Sequence, residues 1–247
     1  MQNEIRIRNN VVVRPCSDKE LTAMKRGVSG LYIRVFSDEP WYERYLVKMN
    51  GSWIRMGKPD ELLLMDRMLA EGKLSKRDIK PFYTREVIAE AITRASQSGG
   101  FASTIAVDTQ EGRVIGVSWG MSAMQIPVDE KAANAEQIIR SNGLPPEKTF
   151  YFDETFVDMK YRGIGVGKGL IGMRGSIIAA SGFEYAIVRT INPVQVSNLL
   201  GVFGDANVTA VYSNPNDMQP DRKYYLIDLM KAKRARENFI EDSANKI

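Results

Sequence analysis

Histidine is absent from the 247 residues and cysteine occurs once, as Cys16. Without imidazole there is no Ser-His-Asp or Cys-His nucleophilic machinery, no histidine metal ligand and no imidazole base. A lone cysteine excludes internal disulfides, thiolate zinc sites and iron–sulfur clusters, which suits a reducing compartment. No metal site is expected. Long apolar runs are lacking too: Val114–Val128 and Thr190–Gly204 are uncharged but broken by Gly, Ser, Asn or Pro, short of the roughly 18 to 20 apolar residues of a membrane helix. Met1 to Asn10 carries charges of both signs where a secretory signal would be apolar, so a soluble, cytoplasmic protein with no membrane partner is expected. Any chemistry must use carboxylates, hydroxyls, phenols, amines or backbone dipoles.

What is present is an ordinary globular composition, 44% hydrophobic and 26% charged, with 34 basic against 30 acidic residues and a formal charge of +4. The one dense basic run, Lys231, Lys233, Arg234 and Arg236, is followed at once by Glu237, Glu241 and Asp242. It reads as a charged C-terminal helix or tail over 231–247, and nucleic acid is not the expected partner.

Along the chain, Val11–Arg14 reads as a strand stopped by Pro15. Ser17 or Asp18 then caps a helix to about Arg26, where Gly27 ends it, and Gly30–Ser37 continues apolar. Asp38-Glu39-Pro40 turns the chain into the aromatic Trp41-Tyr42-Glu43-Arg44-Tyr45. Pro59-Asp60 opens a helix closed by Gly72, and a helical insertion is expected over about 47–84. Thr84 caps an amphipathic helix ended by Ser98-Gly99-Gly100. From Phe101 the period falls to two, with a hairpin of Phe101–Val107 and Arg113–Met121. A helix over 129–142, a strand over Thr149–Val157, a Gly-rich helix, a strand over Glu184–Thr190, a helix over Pro193–Phe203 and strands over Val208–Tyr212 and Tyr224–Met230 complete the reading. With no repeat and no linker, one mixed α/β domain over 1–230 is the simplest organisation.

The chemistry is concentrated in Val157–Ala180, VDMKYRGIGVGKGLIGMRGSIIAA. Val166, Leu170, Met173 and Ile177 recur on one helical face. Between them stand Gly163, Gly165, Gly167, Gly169, Gly172 and Gly175, and each interior helical glycine costs about 1 kcal/mol against alanine. Such a helix start, with bare amides and a positive dipole end, attracts phosphate; Lys160, Arg162, Lys168 and Arg174 would reinforce it. A nucleotide P-loop does not fit, since Lys168 is followed by Gly169 rather than Ser or Thr. A dinucleotide GxGxxG at Gly167, Gly169 and Gly172 falls inside the helix rather than at its turn.

Arg162-x-x-Gly165-x-Gly167 directly after a strand resembles the acyl-CoA signature of the GNAT superfamily of N-acyltransferases. Phe156-Val157 leading into Lys160-Tyr161-Arg162-Gly163-Ile164-Gly165-Val166-Gly167 looks like that family's central strand and pyrophosphate loop. The match is specific over about 101–212, looser over Val11–Tyr45, and does not cover the insertion or the tail. It implies a GNAT-like fold, a central, mixed but mostly antiparallel sheet flanked by helices. It implies acetyl-CoA as cosubstrate, bound by Phe156, Val157, Met159, Arg162, Gly163, Ile164, Gly165, Val166, Gly167, Lys168 and Asn192. The acetyl group would pass directly to a primary amine of a small molecule or peptide. The backbone amide near Val157 is implied as oxyanion donor.

Strand alternation puts Phe150, Phe152, Glu154 and Phe156 on one face, so Glu154 is expected among phenylalanines with a raised pKa, as the base. The resemblance implies that the segment of Trp41, Tyr42 and Glu43 covers the acceptor, and an aromatic wall with a carboxylate suits a cationic amine. The resemblance departs at Leu199, where many family members carry a tyrosine as acid; Ser197, Asn198 and Tyr212 are the polar substitutes. That departure supports a second reading, a GNAT-fold module that binds CoA or a partner without catalysis. Pairing of C-terminal edge strands would make a homodimer.

Overall fold

The computed structural model describes residues 4–37, 41–126, 130–190, 192–211 and 223–233. They form two compact units, one of Met1–Leu21 with Arg94–Ile247 and one of Thr22–Thr93.

The first unit is built on an eight-stranded sheet. Its strands are β1 (Ile5–Arg8), β2 (Val11–Cys16), β6 (Ala102–Asp108), β7 (Arg113–Ser122), β8 (Thr149–Val157), β9 (Tyr185–Thr190), β10 (Val208–Val211) and β11 (Lys223–Asp228), in the order β1-β2-β6-β7-β8-β9-β11-β10. Every neighbouring pair is antiparallel except β8 with β9. The mixed, mostly antiparallel sheet expected from the sequence is therefore the one observed. Helix α6 (Val166–Ala180) runs between β8 and β9, as a parallel connection requires.

On one face of the sheet, α6 packs Val166, Leu170 and Met173 against Val11, Val13, Ala106 and Ile115. Its far half joins Phe150, Phe152 and Val188 with Leu199 and Phe203 of α7 (Pro193–Phe203). On the other face, Ala135, Ile138 and Ile139 of α5 (Glu130–Ser141) cover Tyr151, Ile187 and Tyr224. Strands β6 and β7 are buried along most of their length, as strands covered on both faces are.

The second unit holds a three-stranded sheet, β4-β3-β5, of β3 (Tyr45–Met49), β4 (Ser52–Met56) and β5 (Ile79–Pro81). Helix α3 (Pro59–Ala70) adds Met65 to a core with Val47, Met56 and Leu74. Glu61 closes its first turn by accepting from the Gly57 and Lys58 amides at 2.8 and 2.9 Å. The stretch expected as a helical insertion is thus as much sheet as helix: β3 and β4 pair across a tight Asn50-Gly51 turn, both residues at positive φ.

A second difference lies in α2 (Lys25–Ser37), which runs through Gly27 and Gly30 instead of ending at Gly27. Val28, Leu31, Tyr32, Val35 and Phe36 are all buried. That i, i+3, i+4, i+7, i+8 stripe outweighs the roughly 1 kcal/mol that each glycine costs. The last helix begins at Leu229, one residue earlier than the strand was expected to end; residues 234–247 of the expected tail, and Tyr212, lie outside the described residues.

Candidate active site

Strands β8 and β9 pair only over Thr149–Phe152 with Tyr185–Val188. Beyond Phe152 they part: Asp153–Val157 share no register with β9, while Glu154–Val157 continue to pair with β7 as far as Gly116↔Val157. The Asp158 amide donates to Ile115 O at 2.8 Å, so Asp158 and Phe156 point their backbone groups toward β7. By alternation, Thr155 and Val157 point theirs the other way, into the opening.

A β-bulge sits where the strands part, between Trp119↔Glu154 and Gly120↔Phe152, with Asp153 as the extra residue. It changes which side chains share a face. Phe150 and Phe152 lie in the α6–α7 core, and Thr155 also faces α6, where its hydroxyl meets Arg174. Glu154 and Phe156 therefore face the opposite way. Phe156 packs edge-on against Trp119 at 5.6 Å, and the Trp119 indole N–H donates to Asp153 at 3.0 Å. The expectation that Glu154 shares a face with Phe150 and Phe152 is corrected: an inserted residue reverses the period-two pattern at that point. In place of a phenylalanine cage the bulge sets two neighbouring carboxylates, Asp153 exposed and Glu154 half-buried, on the Trp119 side.

After β8 the chain enters the loop that carries the signature. Asp158 caps a short turn by accepting from the Lys160 amide, and its carboxylate pairs with Arg113 at 3.1 Å. Tyr161 donates its hydroxyl to Asp108 at 2.6 Å. Asp108, 2% exposed, also accepts from Asn10 and from the Gln110 and Glu111 amides. These bonds, that of Tyr161 first, hold the Asp108 carboxyl below the usual carboxylate range. Exposed Arg162 turns back, Nε on Val157 O at 3.3 Å.

Gly163 and Gly165 are both left-handed, φ 76° and 96°, and Gly165 is the N-cap of α6. Around a Cβ placed on Gly163 nothing lies within 4 Å, and around one on Gly165 only Ile7, at 3.9 Å. The backbone of this loop is therefore open to a ligand, and the first amides of α6 have no intrahelical acceptor. Those features fit the pyrophosphate of a CoA thioester, with the anion on a helix N-terminus.

Gly167, Gly169 and Gly175 serve packing. A Cβ on Gly167 would stand 2.9 Å from the Asn198 amide nitrogen, on Gly169 3.0 Å from Ile7, and on Gly175 2.8 Å from the Phe203 ring. These residues let β1 and α7 approach α6. Two expected phosphate cations are also placed differently. The Lys168 ammonium lies over α7, 3.0 Å from where a Gly201 Cβ would be. Arg174 is wholly buried and reaches the bulge instead of the loop.

Asn192 Oδ1 accepts from the Val194 amide at 2.9 Å and so serves as the N-cap of α7. Leu199, where the resemblance would place a tyrosine, is completely buried in the α6–α7 core. Ile164 and Met159 flank the loop, Met159 48% exposed. In the second unit, Trp41 packs beside Phe36 at 5.4 Å, Tyr42 adopts a left-handed backbone with φ 51°, and the 6%-exposed Glu43 pairs with Arg55 at 3.0 Å. The sequence reading missed Asp153, Trp119 and the role of Arg174, because nothing local announces a bulge. The paired aromatic and charged residues around it were the available hint.

No protein-family model matches the sequence, and no curated protein does. Among solved structures, the chain is similar to a GNAT-family acetyltransferase from Streptococcus pneumoniae, 10% identical, over 88% of this chain and 96% of that one, at a TM-score of 0.46. It is similar to the PaiA N-acetyltransferase of Thermoplasma acidophilum in complex with coenzyme A, 8% identical over 88% and 98%, at 0.45. A GCN5-related N-acetyltransferase from Kribbella flavida, 13% identical over 89% and 98% at 0.48, is similar to the same extent.

Proposed function

We propose that this chain is an acyl-CoA-dependent N-acyltransferase of the GNAT kind, moving an acetyl group from acetyl-CoA to a primary amine. The observation that carries the reading is the conjunction at the end of β8. An opened strand edge with outward Thr155 and Val157 backbone groups runs directly into a left-handed glycine loop and a bare helix N-terminus. Thioester and pyrophosphate are the two ends of one extended ligand, and these are two surfaces suited to them.

The amine nitrogen attacks the thioester carbonyl, the C–S bond breaks, the acetyl–nitrogen bond is made, and the proton lost by nitrogen ends on the departing sulfur. The Val157 N–H would stabilise the negative charge growing on the carbonyl oxygen. Glu154 is proposed as the base that takes the amine proton, directly or through water, with Asp153 beside it as the other carboxylate within the bulge. With Leu199 in the core, protonation of sulfur is assigned to water. Phe156, Val157 and Met159 are proposed along the pantetheine arm, with Arg162 and the 163–168 backbone on the pyrophosphate. Asn192, occupied as a cap, would contact the arm through its amide nitrogen. Trp41, Tyr42 and Glu43 are proposed for the acceptor on the resemblance and on the suitability of aromatic rings and a carboxylate for a cationic amine.

Calorimetric titration of the purified protein with acetyl-CoA tests the reading, beside an Arg162→Glu variant, which reverses the charge of an exposed side chain bonded to Val157 O. Micromolar binding, weakened about tenfold or more by reversing one charge–phosphate contact, followed by thiol release with an amine panel, is the expected result. Binding without turnover would favour a CoA-binding module, and no binding by folded protein would end both readings.

A further inference from the structure

We propose that Arg174 is a positioning residue that holds the β8 bulge in the shape that presents the Thr155 and Val157 backbone groups to the opening between β8 and β9. Its chemical meaning rests on the acyltransferase reading above; its structural content does not.

Arg174 projects from the middle of α6 into the sheet and is entirely buried. Its Nη1 donates to two backbone carbonyls, Trp119 O and Glu154 O, the latter at 3.1 Å. Those residues form the last register pair before the ladder slips. Nη2 donates to Thr155 Oγ1 at 3.3 Å, and the guanidinium lies 3.9 Å over the Phe152 ring. One side chain thus touches the residue before the bulge, both residues after it, and the partner strand.

The chemistry of the guanidinium explains why arginine occupies this place. A bulge leaves ladder carbonyls without their regular donors, and buried carbonyls need partners. A rigid planar fork reaches two carbonyls and a hydroxyl at once, which a lysine cannot do. None of the carboxylates makes an ion pair with Arg174 among the described residues, and its Nε has no partner. Desolvation lowers its pKa to about 9, which still leaves it charged at neutral pH. A buried cation held by two carbonyls and a hydroxyl, with the Asp153 and Glu154 charges only partly offsetting its desolvation, is costly compared with an apolar side chain, so its presence is accounted for by what it holds. Ser118 supplies a second prop, its hydroxyl 2.8 Å from Thr155 Oγ1 and 3.3 Å from Glu154 O.

The test compares wild type with Arg174→Met, Arg174→Lys and Thr155→Val by amide hydrogen exchange, calorimetry with CoA, and acetyl transfer to an amine that wild type accepts. In Arg174→Met, exchange over 153–157 should rise about tenfold or more through local opening while exchange over 163–169 stays as in wild type. CoA should bind within about threefold of wild type, and kcat should fall about a hundredfold, the scale of a small misplacement of reacting groups. Arg174→Lys should recover only part of the protection, and Thr155→Val, which retains shape, should show a smaller loss in the same segment. Wild-type exchange at 153–157 in Arg174→Met, or changed exchange with unchanged kcat, would overturn the proposal. If Arg174→Met does not fold, Arg174→Lys and Thr155→Val decide by the same readouts. If wild type binds no acetyl-CoA, the acyltransferase reading fails, and exchange at 153–157 alone decides whether Arg174 holds the bulge.

Discussion

The Tyr161 hydroxyl and the Asp108 carboxylate, 53 residues apart in sequence, meet at 2.6 Å. This bond ties the loop entering α6 to the turn between β6 and β7, and Arg113 adds a second tie from β7 to Asp158. A loop that must offer several amides to one ligand loses less entropy on binding if its ends are already fixed. Tyr161→Phe should therefore lower Tm by a few degrees and weaken CoA binding about three- to tenfold, since a single hydrogen bond of this kind is in play. Calorimetry and thermal unfolding on the same preparation check both. Unchanged binding would mean the loop is held without this bond.

The same bond sets a pH window. The Asp108 carboxyl lies below its ordinary range in the fold, chiefly through Tyr161. A depressed folded pKa means that the stabilisation is complete above the unfolded value, near 4, and drains away as pH falls through the folded value. Tyr161 is raised, chiefly by the same bond, so its contribution is complete below about pH 10 and lost above it. The Tm difference between wild type and Asp108→Asn should hold steady from about pH 5 to 9 and shrink toward pH 3. A difference that persists at pH 3 would show that the carboxylate is not its source.

Alanine at two glycines of α6, one turn apart, should have opposite effects. At Gly172 a Cβ meets Val202 at an ordinary 3.7 Å, so Gly172→Ala should stabilise by about 0.5 to 1 kcal/mol through helix propensity. At Gly175 it meets the Phe203 ring at 2.8 Å, in a core where Phe203 is 7% exposed. Gly175→Ala should destabilise by about 1 to 3 kcal/mol through overpacking. Urea unfolding of the two variants decides, and two changes of the same sign would contradict the α6–α7 packing.

These glycines also show where sequence reasoning reaches and where it stops. Their crowding marked a backbone that something must approach closely, and the segment boundaries of β8 and α7 were readable because period, cap and proline signals agree locally. Which approach each glycine serves depends on partners far away: Ile7 for Gly169, Phe203 for Gly175, and open space at Gly163. The bulge at Asp153 was hidden for the same reason. Nothing within TFYFDETFV marks the extra residue, and the slip arises from pairing with Trp119 and Gly120, where a Gly120 Cβ would clash with Tyr151 O. Gly27 points the other way: it reads as a helix stop, yet the buried stripe from Val28 to Phe36 carries α2 through it.

Cys16 is 6% exposed, and desolvation, first among its influences, pushes its thiol up to about 12. The thiolate is the reactive form, so the folded protein at pH 8 should be labelled by a disulfide reagent at least about a hundredfold more slowly than a free thiol, and at full rate in denaturant. Rapid labelling of folded protein would place Cys16 in an accessible setting and reopen a nucleophilic role.

Glu154 and Asp153 can be separated by isosteric amides. If Glu154 takes the amine proton, Glu154→Gln should lower kcat by about 10² to 10⁴, the range of general-base catalysis. Acetyl-CoA binding should stay unchanged, because the pyrophosphate loop is not touched. The loss should diminish as pH rises toward the pKa of the amine, where the acceptor arrives already neutral. Asp153 accepts from the Trp119 indole at 3.0 Å, so Asp153→Asn removes a charge while retaining an acceptor for that bond, and a loss under about tenfold is expected. The reverse order would move the base to Asp153. Equal small losses in both variants would leave the neutral amine to react without a protein base, with the β8 edge and the helix N-terminus supplying catalysis by orientation and by oxyanion stabilisation alone.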